Sequence, residues 1–291
     1  MSTDPRLVDS GPRNIDVDGL HWVVRVAGSG PALLLLHGFT GSSRSWPDLM
    51  AAATAAGRTA IAPDLPGHGG TAWAPTDPAD PGSPARATIE RTADDLPALL
   101  GALGQDRADV VGYSMGARVA LRFAIAHAAR VRRLVLEAPS AGIADPGERS
   151  ARRAADEALA GTLERDGIAA FIDAWERTPV LAGEARRGAD ARAAVRDIRI
   201  AHDPAGLAAS LRSAGQGAME PLHDRLREIS SPTLVIVGSD DPARDRAEAV
   251  AAGIPGARLA VIDGAGHAPH LEAPAAFNRL VLDFVSEEHV A

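Results

Sequence analysis

Short apolar runs alternate with helical patterns along most of the chain, and this alternation constrains the fold more than any other feature. The runs are bounded by turn residues, and several are apolar at consecutive positions, as strands buried on both faces are. They are Trp22–Val26, Leu33–Leu36, Arg58–Ile61, Val110–Val111, Leu134–Leu136, Thr233–Val237 and Leu259–Ile262. Helical patterns between them include Ile89–Leu103, Met115–Ala128 and Pro274–Val285. We therefore predict an α/β fold with a mostly parallel sheet flanked by helices.

The alternation breaks once, over residues 141–220. This stretch is rich in arginine and glutamate, reads as several helices and contains no convincing strand. Because strand signals resume after it, we predict an all-helical cap inserted into a core of residues 15–140 and 221–291; ordinary surface helices are the alternative. Residues 1–14 lack an apolar segment of signal-peptide length and are predicted to form a flexible arm. The Pro- and Gly-rich segment Ala74–Pro84 is predicted to be a surface loop.

Composition limits the classes of function. The 291 residues carry a net charge of −8, which argues against general affinity for nucleic acid or anionic membranes. The chain has no cysteine, and all 30 basic residues are arginine, so thiolate metal sites, a cysteine nucleophile and a lysine Schiff base are excluded. Neither a cofactor nor a metal site is indicated. No apolar run reaches the roughly 18 residues of a membrane span, so the cytoplasm is the default location.

The stretch Gly112-Tyr-Ser114-Met-Gly116 joins an apolar run to a helical pattern. It fits the nucleophile elbow G-x-S-x-G, in which a sharp strand-to-helix turn exposes the serine hydroxyl. The flanking residues must be small because strand and helix backbones approach closely there. We therefore predict that Ser114 is a nucleophile or base, and a serine in either role needs a neighbour that accepts its proton.

The predicted neighbour is His267, which follows the last apolar run in the glycine-rich sequence Asp263-Gly-Ala-Gly-His267. A carboxylate must then orient the imidazole. We favour Asp241 over Asp240, both directly after the run Thr233–Val237, with Glu137 third. The resulting order of serine, acid and histidine is that of α/β-hydrolases.

Backbone amides are expected to stabilise a developing oxyanion. One should belong to Met115, the residue after the serine, and the other to Phe39 in the loop that ends Leu33-Leu-Leu-Leu-His37-Gly-Phe39-Thr-Gly41. Beside glycine turns, His37 and His68 are predicted to pack and hydrogen-bond rather than react.

With these residues, the chain resembles the α/β-hydrolase superfamily from about Ile15 to Val285. The matching pieces are LLLLHGFTG, PDLPGHG, GYSMG, VGSDD and GAGH. Together they are specific for the fold and the triad, and they say almost nothing about the substrate.

A narrower resemblance extends through the cap. The pieces HGFTGSSRSW, GYSMGARVAL, LEAPSAGI, ERSARRAADEALA, FIDAWERTPVLA and IRIAHDPAGLAASLRSAGQG resemble the 2-succinyl-6-hydroxy-2,4-cyclohexadiene-1-carboxylate synthases of menaquinone biosynthesis. This resemblance implies a lyase without a cofactor. Its triad serine helps to remove a proton from a small polycarboxylate, 5-enolpyruvoyl-6-hydroxy-2-succinyl-cyclohex-3-ene-1-carboxylate, and pyruvate leaves.

The same resemblance assigns binding of substrate carboxylates to Arg118, Arg152 and Arg199, and packing or polar contact to Tyr113 and Trp175. Arginine suits this role because its planar fork forms bidentate, charge-assisted bonds. Adjacent Arg153 leaves the register of Arg152 open. Ala117 departs from the family, which commonly has a second glycine there.

Two other classes of function remain open. A serine hydrolase of esters, lactones or carbon–carbon bonds would use the same triad without needing the three arginines. A non-catalytic binding protein on the same scaffold would not need the triad, and Ser114→Ala should cost it nothing. The sequence also leaves open whether the chain is a monomer or a homodimer.

Overall fold

The computed structural model describes residues 11–73 and 84–287. The predictions for residues 1–10 and for the loop segment 74–83 lie outside the described residues. Nine strands form one sheet in the described part of the chain: β1 (Pro12–Val17), β2 (Leu20–Gly28), β3 (Ala32–Leu36), β4 (Thr59–Pro63), β5 (Ala72–Trp73), β6 (Ala108–Tyr113), β7 (Val131–Glu137), β8 (Thr233–Gly238) and β9 (Arg258–Ile262).

The strand order is β1-β2-β4-β3-β6-β7-β8-β9, with β5 paired to β2. Strands β3, β4 and β6 to β9 are mutually parallel, whereas β1, β2, β4 and β5 meet in antiparallel pairs around β2. The sheet is therefore mostly parallel, as predicted, and each of the seven apolar runs lies in a strand, except that Arg58 precedes β4.

The sequence did not reveal β1, and the prediction of a flexible arm to residue 14 is corrected at Pro12. Residues 12–17 pair antiparallel with Leu20–Arg25. Only Ile15 and Val17 of β1 are partly buried, and its other four residues are exposed. Strand β1 lies at the edge of the sheet, so it needs little apolar surface and carries little apolar pattern.

The helices outside the insertion cover both faces of the sheet, and the described residues form nine helices in all. They are α1 (Pro47–Ala55), α2 (Ile89–Ala102), α3 (Met115–Ala126), α4 (Pro146–Trp175), α5 (Ala189–Ile200), α6 (Pro204–Ala214), α7 (Arg244–Gly253), α8 (Pro269–Glu272) and α9 (Pro274–Ser286). Leu33 and Leu35 of β3 pack with α1 and α9, while Leu34 and Leu36 pack with α2 and α3. This alternation is what a strand buried on both faces requires.

Helices α4 to α6 and a 3₁₀ segment, Pro179–Arg186, form the helical insertion between β7 and β8. A small apolar core of its own, including Leu163, Phe171 and Leu207, holds the insertion together. Helix α4 is interrupted at Gly167, where φ is +79°. The insertion is confirmed as all-helical, and the bounds 141–220 stay a prediction.

Among the described residues, no helix is both long enough and apolar enough to cross a membrane.

Candidate active site

Ser114 occupies the turn between β6 and α3 in a strained backbone conformation. Its φ is +49° and its ψ is −103°, a region that costs a non-glycine residue about 1–3 kcal/mol. A Cβ atom on Gly116 would lie 2.0 Å from the Leu36 carbonyl oxygen, and one on Gly112 would lie 2.4 Å from that of Gly116. Glycine on each side of the serine therefore lets strand and helix meet at this elbow.

Ser114, His267 and Asp241 lie together at the carboxyl ends of the parallel strands. His267 Nε2 is 3.1 Å from Ser114 Oγ, and His267 Nδ1 is 2.9 Å from Asp241 Oδ2. The other carboxylate oxygen, Asp241 Oδ1, accepts a hydrogen bond from the Ala243 amide at 2.8 Å. Because Nδ1 donates to a carboxylate, Nε2 is left to accept the serine proton. The chain thus brings together the three residues that the motifs selected.

The two other candidate acids have different partners. The side chain of Asp240 is 49% exposed and lies 3.4 Å from Arg186. Glu137 is fully buried, and its Oε1 accepts hydrogen bonds from the His270 amide and from His270 Nδ1, at 2.8 and 2.9 Å. In the described structure neither carboxylate hydrogen-bonds His267, so the geometry favours Asp241.

Sequence reasoning missed Glu272, which holds the loop that carries His267. Its carboxylate accepts hydrogen bonds from the amides of Gly266 at 2.8 Å and Ala268 at 3.1 Å, one on each side of the histidine. Arg186 of the insertion lies 3.4 Å from the same carboxylate and donates to the Gly264 carbonyl at 2.8 Å. The only sequence feature that could have indicated this role is the position of Glu272, five residues after His267.

The loop after β3 comes close to Ser114 at Gly38. A Cβ atom on Gly38 would lie 3.5 Å from the Ser114 Cβ and only 2.7 Å from the Tyr113 ring. The Gly41 amide donates to the Gly38 carbonyl at 3.0 Å, and Thr40 between them has a φ of +63°. This turn, residues 38–41, places Phe39 on the cavity wall with Ser114 and Met115.

His37 and His68 are buried and neutral. His37 Nδ1 donates to the Gly38 carbonyl at 2.8 Å, while His37 Nε2 accepts from the Leu65 amide at 2.9 Å. Burial, opposed by the Gly38 hydrogen bond, lowers the pKa of His37 to about 4. Burial and then the neighbouring His37 lower the pKa of His68 well below its usual value. Neither ring lines the cavity, which fits the predicted structural role.

A cavity of about 670 Å³ lies over Ser114 and His267, between the sheet and the insertion. All five predicted substrate-binding residues line it: Tyr113, Arg118, Arg152, Trp175 and Arg199. Arg153 does not, because its Nε donates to the Gly217 carbonyl at 2.6 Å. The open register is therefore resolved in favour of Arg152.

The three arginines differ in how their charge is met. Arg118 is buried, and its Nη1 donates to the neutral Ala214 carbonyl at 2.6 Å. Burial and then the charge of Arg152 lower the pKa of Arg118 to about 10. Arg152 Nε donates a hydrogen bond to Asp156 Oδ1 at 2.8 Å.

Arg199, by contrast, already has carboxylate partners. Its Nη2 donates to Glu184 at 2.7 Å and its Nη1 to Glu176 at 3.3 Å. Burial lowers the pKa of Arg199, but Glu184 and the other neighbours together outweigh burial. The net effect is that the pKa of Arg199 is raised. A direct role of Arg199 in binding a substrate carboxylate stays a prediction.

Aromatic rings form the rest of the wall. Burial, followed by the charges of Glu184 and Glu137, raises the pKa of Tyr113 well above its usual value, so its hydroxyl stays protonated. Trp175 of α4 meets Phe39 edge to face at 5.3 Å between ring centroids. Phe171 of α4 also lies edge to face with Phe39, at 6.3 Å, so two aromatic contacts join the insertion to the turn after β3 beside the predicted oxyanion donor.

No group of three or more histidine, aspartate or glutamate side chains is placed to hold a metal ion in residues 11–73 and 84–287. The arrangement can abstract or transfer a proton through Ser114 and His267, and it can hold an anion near Arg118 and Arg152.

Comparison with known proteins agrees with this fold. Residues 33–280 match the Alpha/beta hydrolase family, and the chain belongs to that family. It is an enzyme of this superfamily and is similar to MenH. A Bacillus subtilis (strain 168) protein, provisionally named a 2-succinyl-6-hydroxy-2,4-cyclohexadiene-1-carboxylate synthase, is 34% identical over 282 residues, 95% of this chain and 99% of that protein.

Two solved structures are also similar. MenH from S. aureus superposes with a TM-score of 0.82 at 29% identity, covering 90% of this chain and 97% of that one. A malate-bound thermophilic esterase from Thermogutta terrifontis has a TM-score of 0.78 at 28% identity, covering 94% and 96%. The first match agrees with the narrower resemblance of the sequence. The second match shows that a similar fold also occurs in an esterase, so a hydrolase stays an alternative.

Proposed function

We propose that the protein is a 2-succinyl-6-hydroxy-2,4-cyclohexadiene-1-carboxylate synthase, a lyase that eliminates pyruvate from 5-enolpyruvoyl-6-hydroxy-2-succinyl-cyclohex-3-ene-1-carboxylate. Ser114, His267 and Asp241 form the catalytic triad, and the amides of Phe39 and Met115 form the oxyanion hole. The substrate is a small polycarboxylate, bound without a cofactor.

The observation that carries this proposal is Arg118. It is a buried guanidinium on the cavity wall, one helical turn after Ser114, and no carboxylate of the described residues lies within 4.0 Å of it. Burial outweighs the opposite charges of Asp156 and Glu90, so the buried guanidinium is costly, and a bound carboxylate would relieve that cost. Arg152 lowers the pKa of Arg118 through its charge, and both side chains line the same cavity. An enzyme for neutral esters would need neither arginine.

The chemistry follows from the names of substrate and product. The ring double bond C3=C4 becomes C2=C3 and C4=C5, the proton leaves C2, and the enolpyruvoyl oxygen leaves C5. The C2 proton is acidic because C2 is next to the succinyl ketone. His267 takes the Ser114 proton, and Ser114 Oγ takes the C2 proton. The amides of Phe39 and Met115 stabilise the charge that develops on the ketone oxygen. Enolpyruvate leaves and ketonises to pyruvate.

The test is pyruvate release from this substrate, followed with a lactate dehydrogenase couple. We expect fast release by the wild-type protein and a loss of about 10²- to 10⁴-fold in kcat for Ser114→Ala, the usual scale of general acid–base contributions. Release no faster than the uncatalysed reaction would rule out the synthase.

Arg118→Met sharpens the test. Removing a buried partner of a carboxylate costs roughly 2–5 kcal/mol, which should appear in kcat/KM. The matched control is Arg122→Met, one turn further along α3 and outside the cavity. Equal effects of the two changes would contradict the role of Arg118.

A serine hydrolase is the second candidate, favoured by the complete hydrogen-bonded set of Ser114, His267 and Asp241 and by the similarity to an esterase structure. Hydrolysis proceeds through an acyl-enzyme on the serine, whereas elimination does not. Trapping an acyl-Ser114 adduct with a short ester, together with turnover faster than pyruvate release, would favour the hydrolase.

A further inference from the structure

We propose that His202 is a positioning residue that orients the Phe39 amide toward the cavity from the helical insertion; this rests on the oxyanion role proposed for Phe39. His202 lies in the turn between α5 and α6 and is 4% exposed. It does not line the cavity, so it acts through the backbone of the turn at residues 38–41.

Both ring nitrogens of His202 have partners from the core. His202 Nε2 is 3.0 Å from the Thr40 carbonyl oxygen, and the Gly69 amide donates to His202 Nδ1 at 2.9 Å. Because a carbonyl can only accept and an amide can only donate, the two bonds require the neutral ring with its proton on Nε2. The ring therefore joins two core loops to the insertion in one defined orientation.

The contact at Thr40 reaches Phe39 through two peptide planes. In a trans peptide the carbonyl and the N–H of the next residue point in opposite directions. His202 fixes the Thr40 carbonyl, so the Gly41 N–H points back to the Gly38 carbonyl, to which it donates at 3.0 Å. His37 Nδ1 donates to the same Gly38 carbonyl at 2.8 Å. With that carbonyl held on the side of the histidines, the Phe39 N–H of the same peptide points away from them. Phe39 lines the cavity together with Ser114, and we infer that its N–H is directed there.

The turn needs this support because of its own conformation. Thr40 has a φ of +63°, where a β-branched residue is strained and persists only when its surroundings over-determine it. The insertion is held close at this point: a Cβ atom on Gly206 of α6 would lie 2.7 Å from the Gly67 carbonyl of the core. His202 is thus presented by a tightly packed contact, and the oxyanion hole is complete only when the insertion is docked.

The test compares two replacements of one ring. His202→Gln keeps an N–H donor for Thr40 and an oxygen acceptor for Gly69, but loses the ring shape. His202→Phe keeps the ring shape and loses both bonds. The readout is covalent labelling by a fluorophosphonate: Ser114 Oγ attacks phosphorus, its proton passes to His267, the P–F bond breaks and fluoride leaves. The phosphoryl oxygen occupies the oxyanion hole, so the maximal labelling rate reports the amides without requiring the natural substrate.

We expect the maximal labelling rate of His202→Phe to fall about 10- to 100-fold, below the full loss of an oxyanion donor. Reversible binding of the probe should change less than about threefold, and His202→Gln should recover most of the rate. The control is His68→Phe, a buried ring 5.5 Å from His202 that donates to Pro66 and makes no hydrogen bond to the turn; its rate should stay near the wild-type value. Thermal midpoints of all variants check folding.

A His202→Phe variant that labels at the wild-type rate, or equal losses in the Phe and Gln variants, would overturn the inference, as would a wild-type protein that does not label at Ser114. If His202→Phe does not fold, His202→Ala is labelled with and without imidazole, and failure of imidazole to restore the rate overturns the inference. The proposed synthase fails separately. Absence of pyruvate release by a wild-type protein that labels would exclude the reaction and leave the role of His202 standing.

Discussion

The two walls of the cavity are built on different principles. On the core wall, Ser114, His267 and Asp241 are fixed by hydrogen bonds of 2.8 to 3.1 Å, and the supporting histidines are neutral. On the wall of the insertion, ion pairs hold the side chains in place, as between Arg199 and Glu184 or Arg152 and Asp156. Hydrogen bonds set geometry to a few tenths of an ångström, whereas charges set the local potential. In the proposed function, the core wall therefore determines which bond reacts, while Arg118 of the core and Arg152 of the insertion together determine which anion binds.

The largest expected effect tests the core wall. Asp241→Asn leaves the side-chain shape but removes the acceptor that selects the reactive tautomer of His267, so kcat should fall about 10²- to 10⁴-fold. Asp240→Asn is the matched control, one residue away and half exposed, and should change kcat less than about threefold. Steady-state pyruvate release measures both. The comparison would break if Asp240→Asn were the more damaging change.

An intermediate effect is expected on the free energy of unfolding when the pH is lowered. His37 is protonated more readily in the unfolded chain, at its ordinary pKa of 6.5, than in the fold, where its pKa is about 4. Its contribution to stability is therefore complete above pH 6.5 and is lost as the pH falls toward 4. The single group should lower the free energy of unfolding by about 3 kcal/mol between pH 7 and pH 4.

Urea unfolding at pH 7 and at pH 4 to 5 measures this loss, with His21, an exposed histidine on β2, replaced by Gln as the control for general acid effects. The His21 variant should follow the wild-type curve. A free energy of unfolding that does not fall with acid would show that the core wall is not built on neutral histidines.

The smallest expected effect tests the wall of the insertion. Arg152→Ala removes one charge-assisted contact, worth roughly 1.5–3 kcal/mol, and should raise KM about 10- to 100-fold with little change in kcat. Arg153→Ala, its neighbour outside the cavity, should leave both parameters near the wild-type values. A fall in kcat for Arg152→Ala with an unchanged KM would mean that the insertion takes part in the chemical step.

The sequence predicted the buried strands and the reactive set, for different reasons. Strands such as β3 are apolar on both faces and can be recognised in the sequence. Strand β1 is an edge strand with only two partly buried residues, so its sequence has no apolar pattern to recognise. Ser114 stands between two glycines that close backbone contacts require, and His267 follows Gly264, whose φ of +70° favours glycine. Asp240 and Asp241 follow the same strand, and only the direction of their side chains separates them.

Contacts between distant segments could not be predicted. Arg199 and Glu184 are both charged residues of a helical, polar stretch, and nothing in their spacing indicates that they neutralise one another. His202 meets Thr40 across 162 positions of the chain, and no local pattern marks it as the support of a turn in the core. Short motifs indicate residues whose role depends on neighbours in the sequence, whereas contacts across the cavity depend on how the insertion packs.

The break at Gly167 divides the first helix of the insertion into two rigid pieces with separate tasks. The piece before it carries Arg152 and Asp156, and the piece after it carries Phe171 and Trp175, which pack against the turn that holds Phe39. Leu163 before the break and Phe171 after it pack in the same apolar core, so the two pieces stay joined although the helix is interrupted. For protein engineering, Arg152 and Asp156 are therefore positions at which new substrate preferences can be selected without changing the residues that pack against Phe39.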